Sequence, residues 1–160
     1  MKITIVAIGR LKAGPERDLA SRYLDRFAKA GPSVALEWSR VVEIPESRAS
    51  TSDQRKREEA AAIRKICPAD VHLIVLDENG KVPSSQELAD RLAHLRDGGC
   101  REIIFAIGGA DGHDADLLAK AAGTLSFGRL TWPHQIVRIL LAEQLYRAST
   151  ILSGHPYHRS

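Results

Sequence analysis

Apolar positions along the chain change period from segment to segment, and the changes mark out its elements. Lys2 to Ile8 alternates and is rich in β-branched residues, as a strand requires. Pro15 to Ala30 then carries Leu19, Tyr23, Leu24 and Phe27 at helical spacing and is stopped by Gly31-Pro32. Val34 to Ile44 reads as a second strand. After Pro45 a polar stretch, Glu46 to Asp53, is the best candidate for a mobile loop. It leads into a charged helix from about Gln54 to Ile66, with Thr51 and Gln54 spaced as a capping box.

Val71 to Asp77 is nearly continuous in apolar residues, the pattern of a parallel strand covered on both faces, and it ends at Asn79-Gly80. Ser84 with Glu87 caps a helix whose buried stripe is Leu88, Leu92 and Leu95 and which closes at Gly98-Gly99. Ile103 to Ile107 is another buried strand and runs directly into Gly108-Gly109-Ala110-Asp111-Gly112. A short helix from about Ala115 to Ala122, a strand from Thr124 to Leu130 and a last helix from His134 to about Thr150 complete the pattern. Such alternation predicts an α/β fold, a mostly parallel sheet with helices on both faces, as a single domain over residues 1–160.

The last helix departs from a simple amphipathic pattern. Ile136, Val137, Ile139, Leu140, Leu141, Ala142, Leu145, Ala148 and Ile151 surround most of its circumference, so burial on several sides is expected, with a second copy of the chain as the cover. Glu143 and Arg147 stand four apart and are spaced to pair. Charge is concentrated late as well: Arg129 to Ser160 holds four arginines and three histidines against one acid. The formal charge of +3 is compatible with a polyanionic partner without requiring one. Cys67 and Cys100 lack metal-ligand spacing, and the opening strand is neither a signal peptide nor a membrane span, so a reduced, cytoplasmic setting is the plain reading.

Ligands of parallel α/β sheets bind beyond the carboxyl ends of the strands, which directs attention to three exits: Leu76 to Gly80, Gly108 to Gly112, and Phe127 to Pro133. The middle exit has three glycines in five residues, letting a ligand approach the backbone closely. It is neither a dinucleotide fingerprint nor a P-loop, so a nucleotide-phosphate enzyme is disfavoured. Past the last helix, His155, Tyr157, His158 and Arg159 make an unusual ending. Two histidines without a third or fourth ligand do not make a metal site, and none is expected.

Four ordered blocks carry a specific likeness: Gly108 to Gly112, Leu130 to Arg138, Glu143 to Ala148, and His155 to Arg159. Together they resemble the large-subunit ribosomal RNA pseudouridine N3-methyltransferase H family, a minimal branch of the SPOUT methyltransferases. The resemblance covers the whole chain; Ala110-Asp111 stands where members often have Pro-Glu. It implies a deep trefoil knot within about residues 71–160, a homodimer, S-adenosylmethionine as cofactor, and methylation of N3 of a pseudouridine in 23S ribosomal RNA on the assembled ribosome. By matching position it assigns Leu76, Gly108, Phe127, Gly128, Arg129, Leu130, Thr131 and Trp132 to the cofactor. His155, Tyr157, His158, Arg159, Glu143 and Arg138 are then the candidates for catalysis. His155 and His158 are suited to accept the N3 proton, with Glu143 and Tyr157 as alternatives, while Arg138, Arg147 and Arg159 offer donors to phosphates or base carbonyls. The rival reading is a catalytically silent RNA-binding module, which would bind RNA but not S-adenosylmethionine.

Overall fold

A computed structural model of the chain describes residues 1–68 and 70–157. Its core is one five-stranded sheet in which every strand pairing is parallel. The strands are β1 (Lys2–Ile8), β2 (Glu37–Ile44), β3 (His72–Leu76), β4 (Glu102–Ile107) and β5 (Gly123–Leu125), in the order β2-β1-β4-β3-β5. The α-helices are α1 (Pro15–Ala30), α2 (Ser52–Ile66), α3 (Ser85–Asp97), α4 (Ala115–Lys120) and α5 (His134–Leu152).

Strand alternation sorts the core into two layers. Ile3, Ile5 and Ala7 face the side where Phe27 of α1, Leu92 of α3 and Leu141 and Leu145 of α5 pack. Val6 and Ile8 face Ala60 and Ile63 of α2 and Leu117 of α4. Helices therefore cover both faces, as the unbroken apolar runs of β3 and β4 require. Because all strands run the same way, the exits of β1, β2, β3, β4 and β5 share one edge.

Several boundaries differ from the sequence reading, for local reasons. Residues Gly31–Val34 form a 3-10 turn, and Ala35 takes a left-handed conformation at φ 55°, so β2 begins at Glu37 rather than Val34. Strand β5 is much shorter than Thr124 to Leu130. Its partner β3 ends at Leu76, Ser126 donates its backbone N–H to the Lys81 carbonyl at 2.7 Å, and Gly128 at φ 114° turns the chain out of the sheet. Helix α4 stops at Lys120 because Ala121 is extended and Ala122 donates to the Leu73 carbonyl. Helix α5 runs on to Leu152. The Ser84–Glu87 capping box forms in both directions. At α2 only the Thr51 hydroxyl caps, because the Gln54 amide bonds Glu58 instead.

Candidate functional site

A cleft of about 540 Å³ opens at the shared edge, walled by the exits of β3, β4 and β5 and closed at one side by His134 and Val137 of α5. That volume lies in the usual range for small-molecule sites. Leu76, Gly108, Phe127, Gly128, Leu130, Thr131 and Trp132, all expected from the sequence, line it. Arg129 is exposed and is not among the lining residues. Leu130 and Trp132 stand at the cleft 70% and 38% exposed.

The middle wall is a tight turn. The Gly112 N–H donates to the Gly109 carbonyl at 3.1 Å, and Gly112 sits at φ 79°, a left-handed conformation that a side chain resists. Gly108 is needed for another reason: a Cβ there would lie 2.9 Å from Nε2 of His113. His113, which the sequence reading did not single out, lines the cleft just past the glycine run. Burial holds its imidazole below the ordinary value, although Asp77 and a hydrogen bond to the Leu76 backbone pull the other way. Its Nε2 is buried and has no partner among the described residues. Only its place beside Gly112 could have flagged it.

The chemistry of this lining fits S-adenosylmethionine. Residues of three strand exits border the cleft, no P-loop lysine is present, and the acids in the wall are Asp77, Glu78 and Asp111. A cofactor with sulfonium and ammonium charges against one carboxylate is net positive, which such a lining favours.

The catalytic candidates lie elsewhere. Arg138 is 7% exposed and turns to the ends of β1 and β2, donating to Glu43, to the Gly9 carbonyl at 2.6 Å and to the Ile8 carbonyl at 3.3 Å. Burial raises the Glu43 carboxyl, but the Leu11 N–H and Arg138 outweigh it and leave the group below its ordinary value. These three bonds make Arg138 a strut between α5 and the sheet.

Glu143 and Arg147 of α5 form one cluster with Tyr157, which lies beyond the helix. Arg147 donates Nε to Glu143 Oε1 at 2.9 Å, and the Tyr157 hydroxyl donates to the same oxygen at 3.1 Å. The Arg147 guanidinium lies 4.9 Å from the centre of the Tyr157 ring, and Tyr157 packs on Tyr146 at 4.7 Å. Burial, with Tyr23 and Glu143 adding to it, pushes the Tyr157 hydroxyl up to about 12, so it remains a proton donor at neutral pH. The His155 N–H caps the Thr150 carbonyl at 2.9 Å, and its Nδ1 accepts from the Tyr157 N–H at 3.2 Å. His158 and Arg159 lie outside the described residues.

Cleft and tail are thus at different stations of one helix. His134 touches the cleft and α5 rises about 1.5 Å per residue, so Leu152 leaves the helix about 27 Å away. None of Arg138, Glu143, His155 and Tyr157 is among the residues lining the cleft.

No helix among the described residues is long and apolar enough to cross a membrane. Cys67 and Cys100 are both free thiols; burial pushes Cys67 up to about 11.

Comparison with known proteins adds independent findings. Residues 1–158 match the family described as "Predicted SPOUT methyltransferase". The chain is similar to the ribosomal RNA large subunit methyltransferase H of Allorhizobium ampelinum, with 62% identity over 160 residues and 100% of both chains covered. The protein of the same name from Sinorhizobium fredii is 60% identical, again over 100% of both. A solved structure of a probable methylase family protein from Haemophilus influenzae Rd KW20 aligns at a TM-score of 0.49 with 12% identity, covering 99% of this chain and 70% of that one.

Proposed function

Because the chain belongs to the SPOUT methyltransferase family, we propose that it transfers the methyl group of S-adenosylmethionine to N3 of a pseudouridine in large-subunit ribosomal RNA. The observation that carries this reading is the cleft itself: the segments to which the family resemblance assigns the cofactor meet at one wall-to-wall site on the carboxyl edge of the sheet. Leu76, Gly108, Phe127, Gly128 and Thr131 supply backbone, and Trp132 with Leu130 supplies apolar cover.

The cofactor brings an electrophilic methyl group of its own, so the residues of the chain need only bind, orient, exclude water and take one proton. Tyr157 stays protonated and Glu143 already answers Arg147, which leaves the imidazoles of His155 and His158 as the acceptors for the N3 proton. Arg147, stacked on Tyr157, offers a planar cation to the base carbonyls as negative charge develops on them.

The working unit in this reading is a cytoplasmic homodimer. A tail that leaves α5 about 27 Å from the cleft end meets a cleft most directly on a second copy. Half-buried Ile136, Ile139 and Leu140, with exposed Leu130, supply the apolar surface for such a contact. The proposal extends to a knot in which the chain after β5 passes through the loop following β3. Supporting it, Asp77 donates to the Leu125 carbonyl at 3.0 Å, and a Cβ on Gly80 would stand 2.8 Å from the Leu125 backbone. Toward RNA on the assembled ribosome, the strand exits present exposed Arg10, Lys12, Arg48, Lys81 and Arg129, a cationic rim around an acidic cleft.

Nucleoside mass spectrometry of ribosomal RNA from cells with and without the gene tests the assignment. N3-methylpseudouridine present only with the gene is the expected result; its presence in both strains overturns it.

A further inference from the structure

The glycine turn has little internal bonding, and what holds its outer side comes from α2. Arg55 grips Asp111 with both ends of its fork, Nε to Oδ2 at 2.6 Å and a terminal nitrogen to Oδ1 at 2.9 Å, while its other terminal nitrogen donates to the Ala49 carbonyl at 3.0 Å. One helical turn on, Glu59 is buried and accepts the Ser47 N–H at 3.0 Å through Oε1. Its Oε2 lies where a Cβ on Gly109 would come within 2.9 Å. Arg55 and Glu59 therefore bind the β2 exit, residues 45–51, to the wall of the cleft.

We propose that Arg55, acting through Asp111 with Glu59 packed beneath Gly109, is a positioning residue that sets the glycine turn in its cofactor-receiving shape. This role rests on the reading that the cleft takes S-adenosylmethionine. A bidentate fork adds geometric specificity beyond what a single-point surface ion pair gives, which suits a pair that holds a turn in place. Asp111 is itself held below the ordinary carboxylate range by that fork, so it meets the guanidinium ionised throughout the neutral range. The turn carries backbone groups to the ligand, and an error in its placement is felt in binding rather than in the chemical step. Lysine at position 55 would keep the charge but lose the two-point grip.

Calorimetry with S-adenosylmethionine, hydrogen exchange at the amides of residues 109–112, and methyl-transfer kinetics on ribosomes form the test. Arg55→Met is expected to weaken cofactor binding about tenfold, to hasten exchange in the turn, and to leave kcat at saturating cofactor within about twofold. Arg55→Lys should recover only part of the affinity. Asp111→Asn should add no further acceleration of exchange in the turn to that of Arg55→Met, because the two residues hold the turn as one unit. Unchanged affinity and unchanged exchange in a folded Arg55→Met protein would overturn the role, as would additive effects of the two substitutions on exchange or a fall in kcat at constant affinity. Failure of the wild-type protein to bind S-adenosylmethionine would instead overturn the cofactor reading on which the role depends.

Discussion

The Tyr157 hydroxyl donates to Glu143 Oε1 at 3.1 Å, which folds the described end of the chain back onto the middle of α5, a helix whose first residue, His134, borders the cleft. Tail and cleft are separate parts of one protomer, and in the proposed dimer they meet across subunits.

If the tail serves the RNA base and not the cofactor, its loss should separate the two functions. His155→Ala, or truncation after Gly154, is expected to lower methyl transfer at least about tenfold, roughly 1.4 kcal/mol of transition-state stabilisation. Affinity for S-adenosylmethionine should stay within about twofold. Single-turnover kinetics beside calorimetry measure both; equal losses in both would place the tail in the cofactor site.

A site shared between subunits predicts complementation. Gly108→Val crowds His113 and should block the cleft, while truncation after Gly154 removes the tail. Each variant alone should be inactive, and co-expressed mixed dimers should regain activity through the one site that has an intact cleft and an intact partner tail. Mixed dimers as silent as the parents would show that each chain serves itself.

Arg138 gives a third expectation, distinct from the RNA-contacting role considered from the sequence. Replacing it with Met strands Glu43 among the ends of β1 and β2 and leaves the Gly9 carbonyl without its donor. Because Glu43 keeps some contact with water, the cost is about 2 kcal/mol, a fall in Tm of roughly 4–8 °C. Thermal melts should show this loss. A variant as stable as wild type but defective in turnover would return Arg138 to the catalytic group.

Much of this architecture was legible from residue pattern, and the exceptions have physical causes. The apolar runs at Leu73 to Leu76 and Ile103 to Ile107 fixed two buried strands, and the three exits beyond Leu76, Ile107 and Leu125 converge on one cleft because the sheet is parallel. Strand β5 is shorter than the apolar pattern predicts because Phe127 and Leu130 line the cleft rather than a ladder. Local spacing gives Arg55 only as part of a charged helix face and gives His113 no role, because the first depends on Asp111, 56 positions away, and the second on burial. The histidine-rich ending was visible, but the sequence carries no distance, and α5's length is what separates His155 from the cleft.

Acidification should weaken the fold through its buried imidazoles. His113 and His72 both sit below the ordinary value of 6.5, chiefly through burial, so the unfolded chain takes up protons first as pH falls. Stability is therefore lost below pH 6.5, down to the folded-state values. Glu59, raised by burial, acts in the opposite sense and offsets part of the loss at lower pH. Melts at about pH 7.5 and about pH 5.5 should show a drop that His113→Gln reduces. An equal drop in that variant would remove His113 from the account.

The most direct test of the central claim is transfer of labelled methyl from S-adenosylmethionine by the purified protein to ribosomes lacking the modification. The account predicts label confined to pseudouridine of large-subunit RNA, lost when Gly108→Val closes the cleft. Binding to ribosomes with no transfer, or label unaffected by that substitution, would contradict it.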